Sequence, residues 1–144
     1  MPIVFNMISV IIERLCIGDQ LDAEAPPPFI TAVLWAALDP KISPPPNRLV
    51  ARLPLKEYTE PDLIDIQAGV EWLVRHLPEH HILVGCRAGL GRSPSIIIAY
   101  LCCIQHLSFE EALQLVTEKR PGATPLPHLD SLIEQLKKKN LAIR

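Results

Sequence analysis

The sequence predicts a single α/β domain, with helices packed on a central twisted sheet. Three observations point there. Short apolar runs alternate with longer amphipathic stretches, the pattern of a layered strand-and-helix fold. The 144 residues suit one hydrophobic core, and a 49% hydrophobic content excludes a disordered chain. Residues 82–105 run from a buried-strand triplet through a glycine-rich loop into an apolar helix.

Each element has its own signal. Strands are predicted near 8–12, 15–17, 32–36, 49–53 and 82–85. Of the fifteen prolines, six cluster at 26–28 and 44–46 and mark loops between strands; no internal repeat is visible. Asp62 to Leu77 reads as an amphipathic helix, because Leu63, Ile66, Val70, Leu73, Val74 and Leu77 fall on one stripe. Thr59-Glu-Pro-Asp62 before it looks like a helix start with a capping pair, which gives Asp62 a structural job. Pro94 fits a first helical turn, and Ile96 to Ile104 is apolar on nearly all sides, hence buried. Ser108 with Glu111 forms a capping-box pattern, and Phe109, Ala112, Leu113 and Val116 supply that helix's buried face. Leu129, Leu132, Ile133 and Leu136 mark a last helix, whose dipole Lys137 to Lys139 complement.

Composition narrows the partners. A net charge of −2 gives no electrostatic reason to expect nucleic acid or an anionic membrane. No apolar run reaches the length of a membrane span. Met1 to Ile12 lacks a basic lead and a cleavage pattern, so it is not read as a signal peptide. Cys16, Cys102 and Cys103 read as core residues rather than disulfide partners. His76 and His80 are four apart with Pro78 between them, so with His81 they read as surface residues at a helix end, not a metal face. His106 and His128 have no obvious partners.

The chemistry concentrates in Cys86-Arg-Ala-Gly-Leu-Gly-Arg92-Ser93. A loop that ends at a helix start aims unpaired N–H groups and the positive end of the helix dipole at one spot. Main-chain donors of Arg87, Ala88, Gly89, Leu90, Gly91 and Arg92 would cradle a phosphate, and the Arg92 guanidinium would grip two of its oxygens. The same field favours a thiolate at Cys86, able to attack phosphorus and hold the phosphoryl group covalently. Ser93 could donate to that sulfur and ease its departure. An acid must protonate the leaving oxygen. Glu57 is the candidate, on a loop beyond the apolar run Leu49 to Leu53, with Asp62 its rival.

With these residues in place, the chain resembles the small dual-specificity phosphatases of the cysteine-dependent protein tyrosine phosphatase superfamily. Cys86 to Ser93 matches their signature loop. Arg14 to Asp19 and Phe29 to Leu34 look like the family's first strands; Leu107 to Leu113 and Lys119 to Ala123 look like its last helices and their connection. The likeness spans about residues 10–137. It implies a mostly parallel sheet of four or five strands with the loop at its C-terminal edge, and a cysteinyl-phosphate mechanism without metal or cofactor. By that resemblance Cys86 is the nucleophile, Arg92 binds phosphate and stabilises the transition state, and Ser93 assists breakdown of the intermediate. The implied substrate is a phosphotyrosine protein, with phosphoserine and phosphothreonine as further possibilities. A free nucleophilic thiol favours a reducing cytoplasm, and a monomer is expected.

Three departures from the family stand out. Gly85 occupies the place of the family's His, implying reduced, alkaline-shifted activity and a faster Gly85→His variant. Glu57 stands where the general acid is usually Asp. The stretch at Ala25-Pro-Pro-Pro28 is shortened, implying loss of a helix common there. Two alternatives stay open: a phosphatase of phosphoinositides or other small phosphoesters, and a weakly active phosphate-binding module.

Overall fold

The computed structural model describes residues 8–139, so most of the Met1–Ile12 stretch weighed as a leader lies outside the described residues. Five strands form one sheet: β1 (Ser9–Ile12), β2 (Leu15–Gly18), β3 (Ala32–Trp35), β4 (Leu49–Arg52) and β5 (Ile82–Gly85). The helices are α1 (Gln20–Glu24), α2 (Leu63–His76), α3 (Arg92–Cys103), α4 (Phe109–Lys119) and α5 (Leu129–Lys138). The strand order is β1-β2-β5-β3-β4. Only β1 and β2 pair antiparallel; β2·β5, β5·β3 and β3·β4 are parallel. The mostly parallel sheet and its flanking helices are those expected, and each predicted strand lies within a residue of its place.

Period-two alternation splits the core into two layers. Leu15, Ile17, Ala32, Leu34, Ile82 and Val84 face the large core, which α2, α3, α4 and α5 complete. Cys16, Val33, Trp35 and Leu83 face the smaller core, with Ala23 of α1. Both faces are covered, which is why the central strands are apolar throughout. Helix α3 is sunk so deeply that Ile96, Ile97 and Ile98 are all sealed from solvent. Burial of each such side chain contributes roughly 1.5–3 kcal/mol. The α4 capping box forms as read, with Ser108 Oγ accepting from the Glu111 N–H and Glu111 reaching back to the Ser108 N–H. Helix α5 turns Leu129, Leu132, Ile133 and Leu136 inward.

Two expectations need correction. The shortened stretch before the proline run still carries a helix, the five-residue α1. An Asp19–Asp22 capping box holds it, each carboxylate accepting the other residue's backbone N–H at 2.9 Å. Asp62 does sit at the N-cap of α2, but its side chain makes no capping hydrogen bond. The capping pair read from Thr59-Glu-Pro-Asp62 is therefore not formed. Among the described residues, no helix is long and apolar enough to cross a membrane.

Candidate active site

The parallel strands β2, β5 and β3 all end at the same edge, where an open α/β sheet collects its functional groups. Cys86 follows β5 directly, and Arg92 opens α3 five residues after Arg87. The segment between them is shaped by what holds its carbonyls. The Arg87 carbonyl accepts from the Gln20 N–H at 3.1 Å, and that of Leu90 from the Thr124 N–H at 2.7 Å. The carbonyls of Ala88 and Gly89 accept from Arg120, through Nη2 at 3.2 Å and Nε at 2.8 Å. In a trans peptide the N–H points opposite its carbonyl. Four outward carbonyls thus turn the N–H groups of Ala88, Gly89, Leu90 and Gly91 the other way. None of those four donates to another described residue. Such a run of free donors at a helix start is an anion nest.

Gly89 is required by this shape. Its φ is +72°, and a Cβ there would lie 2.6 Å from Arg120 Nη2 and 2.7 Å from the Gly18 carbonyl oxygen. Ser95 ties the loop's far end down: its buried hydroxyl donates to the Gly91 carbonyl at 2.8 Å and accepts from the Leu126 N–H at 2.9 Å.

Around the nest lies a cavity of about 270 Å³, lined by Cys86, Arg92 and Glu57, with Tyr58, Leu90 and Leu126 among its walls. Cys86 Sγ is 3.1 Å from Ser93 Oγ and accepts from the Ser93 N–H at 3.4 Å. Arg92 is 3% exposed. Its Nη1 donates to the Asp39 carbonyl at 2.8 Å and the Leu55 carbonyl at 3.4 Å, and its Nη2 lies 3.6 Å from Glu57 Oε1. Its buried Nε has no partner among the described residues. A buried guanidinium N–H left open beside an anion nest is a donor awaiting an oxyanion.

The structure therefore brings Cys86, Arg92 and Glu57 to one cavity, with Ala88, Leu90 and Gly91 in its wall; Ser93, fully buried, reaches the site only through the Cys86 sulfur, and Gly89 lies outside the lining. Arg87 is exposed and outside that lining. Asp62 lines a different cavity with Glu60 and Asp65. The other cysteines stay out of the chemistry: burial pushes the Cys16 and Cys102 thiols up to about 11, and Cys103 upward as well. Among the described residues, no group of three or more His, Cys, Asp or Glu is placed to hold a metal ion. The expected lack of a partner for His128 is corrected by Glu60, 4.0 Å away, though both are exposed.

Residues 50–139 match the model of the dual specificity phosphatase catalytic domain. The chain belongs to the dual specificity phosphatase family. Its relatives within this family of protein phosphatases include MAP kinase phosphatase with leucine-rich repeats protein 3 of Dictyostelium discoideum, 46% identical over 46 residues. That match covers 32% of this chain and 5% of the relative. Mouse dual specificity protein phosphatase 15 is 38% identical over 53 residues, 37% of this chain and 23% of the relative. The chain thus matches less than a quarter of either relative's length. A crystal structure of DUSP15 superposes with a TM-score of 0.81 at 21% identity, covering 96% of this chain and 92% of that one. A mouse putative dual specificity phosphatase complexed with zinc tungstate gives 0.78 at 23% identity, covering 95% and 90%. These likenesses establish the shared fold.

Position 85 is closely packed, which the sequence hides. A Cβ at Gly85 would sit 3.3 Å from both Ala23 Cβ and Trp35 Cε3, tighter than ordinary contact. The indole fills the space above position 85. Any side chain introduced at Gly85, the histidine of the expected faster variant included, requires Ala23 and the Trp35 ring to give by a few tenths of an ångström. Trp35, Arg120 and the Asp39 carbonyl carry no local motif. Lys119-Arg-Pro-Gly had pointed only to a helix connection.

Proposed function

We propose that this phosphatase domain hydrolyses phosphomonoesters on proteins, phosphotyrosine first and phosphoserine and phosphothreonine more slowly, through a cysteinyl-phosphate intermediate. The observation that carries the reading is the Cys86 sulfur beside Ser93 Oγ, at a cavity bordered by the anion nest and by Arg92, whose buried Nε has no partner among the described residues. The Cys86 thiolate attacks phosphorus; the bond to the leaving oxygen breaks, and Glu57 gives that oxygen its proton. Water then attacks the phosphocysteine, Glu57 takes back a proton, and the phosphorus–sulfur bond breaks. Ser93 donates to the departing sulfur. Charge developing on the transferred group falls on the nest and Arg92.

The substrate preference rests on the cavity wall. Tyr58, Leu90, Pro125 and Leu126 offer apolar surface to a phenyl ring, and Arg92 is the one cation in the lining. A multiply phosphorylated inositol headgroup would find little to bind. A reactive thiol favours a reducing compartment, and the cytoplasm is part of this proposal.

Turnover of p-nitrophenyl phosphate, a phosphotyrosine peptide, a phosphothreonine peptide and a phosphoinositide, by the protein and by Cys86→Ser, tests the reading. Activity in that descending order, abolished in Cys86→Ser, is expected. Equal rates for the protein and Cys86→Ser would end the nucleophile assignment. Tungstate binding without turnover would favour the phosphate-binding module instead.

A further inference from the structure

We propose that Trp35 is the positioning residue for Arg92, holding the guanidinium through the main chain of residues 39 and 40. The proposal deepens the functional reading above and rests on it.

Trp35 ends β3 and Gly85 ends β5, and the two are direct partners across the parallel ladder. Their Cβ positions therefore face the same side of the sheet. The missing side chain at Gly85 leaves a slot, which the indole fills; Trp35 is only 1% exposed. A buried indole N–H needs an acceptor. The Trp35 Nε1–H donates to the Pro40 carbonyl at 2.8 Å. One residue earlier, the Asp39 carbonyl is the shorter of the two main-chain acceptors of Arg92 Nη1, at 2.8 Å against 3.4 Å for Leu55.

The chain of contacts is thus glycine slot, indole, Pro40 carbonyl, Asp39 carbonyl, guanidinium. Two of its links are directional hydrogen bonds, at 2.8 Å each, joined by the Asp39–Pro40 backbone. Asp39 itself is exposed, so nothing in its own side-chain packing holds its carbonyl in place. The segment is fastened by Trp35 on one side and by the Leu38 N–H to Leu55 carbonyl bond, 2.8 Å, on the other. Arg92 meets the oxyanion with a planar fork, and a fork is useful only when its plane is set beforehand. The residue that fills the slot at Gly85 thereby orients the arginine.

The test removes the indole N–H, once with and once without the bulk of the bicyclic ring. Trp35→Phe, and replacement of Trp35 by 3-benzothienylalanine, an isostere lacking the N–H, are measured for tungstate affinity and for kcat/KM on p-nitrophenyl phosphate. Both quantities should fall about three- to tenfold, the weight of one buried hydrogen bond. The melting temperature of the benzothienylalanine protein should stay close to that of the wild type, whereas Trp35→Phe, which also leaves a cavity, should lower it; the pH profile of Cys86 alkylation should move in neither. In an Arg92→Lys background, which already lacks the fork, the same replacements should cause no further loss. Wild-type tungstate affinity in both variants would overturn the inference alone, as would an equal further loss in the Arg92→Lys background. A wild-type protein that neither binds tungstate nor turns over would overturn the functional reading itself.

Discussion

Arg120 reaches the loop from the end of α4, and removing it gives a quantitative test of how the nest is built. In Arg120→Ala the carbonyls of Ala88 and Gly89 lose their cationic donor. The Ala88 bond is long and exposed, so water replaces most of it; the Gly89 bond is short and half-buried. A hydrogen bond to a charged group has a net worth of about 1.5–3 kcal/mol. Taking about 2 kcal/mol for the Gly89 bond, and transferring all of it to loop order, weakens oxyanion binding roughly 30-fold. Arg120→Lys keeps the charge but cannot span both carbonyls, so an intermediate loss is expected. Competitive inhibition of p-nitrophenyl phosphate hydrolysis by tungstate and by inorganic phosphate measures this directly. Unchanged inhibition in Arg120→Ala, with only a lowered melting temperature, would refute the idea that Arg120 shapes the nest.

Other perturbations follow from the same geometry. Gly85→His should lower the melting temperature without raising turnover, because overpacking beneath Trp35 costs about 1–3 kcal/mol; a faster enzyme with unchanged melting would contradict the packing argument. Glu57→Gln should slow alkyl phosphates by about a hundredfold or more and p-nitrophenyl phosphate far less, whereas Asp62→Asn should change neither; equal slowing of all leaving groups would remove Glu57 from the acid role. Burial raises the Asp22 carboxyl from 3.8 to about 6, against the pull of Arg120. Ionising it therefore costs folded-state energy, and its contribution to stability is lost as pH rises from about 4 through about 6. Asp22→Asn keeps the acceptor for the Asp19 N–H, so it should match the wild type near pH 4 and exceed it by up to about 3 kcal/mol near pH 7.5. Denaturant unfolding at the two pH values checks this, and a variant less stable at both would contradict it.

What could be read from the sequence was what the chain keeps local. Ile82 to Cys103 carries strand, loop and helix in one stretch, and Cys86, Arg92 and Ser93 sit within eight residues, so their common site needed no tertiary knowledge. The braces around them are another matter. Asp39 lies 53 residues from Arg92, and Arg120 lies 31 from Gly89. Their roles arise from backbone carbonyls and a helix end, which no side-chain pattern announces. At position 85 the sequence shows only a glycine, and the indole packed against it follows only from the β3–β5 register. Asp62 misled because a helix-start pattern fixes position, not whether the side chain bonds.

The central claim is that the Cys86 sulfur carries the phosphoryl group. Rapid acid quench of the protein with a phosphotyrosine peptide, followed by peptide mass spectrometry, tests it most directly. A phosphoryl increment on the peptide containing Cys86, absent in Cys86→Ser and longer-lived in Ser93→Ala, is expected. Turnover with no such adduct, or an adduct on another residue, would contradict it.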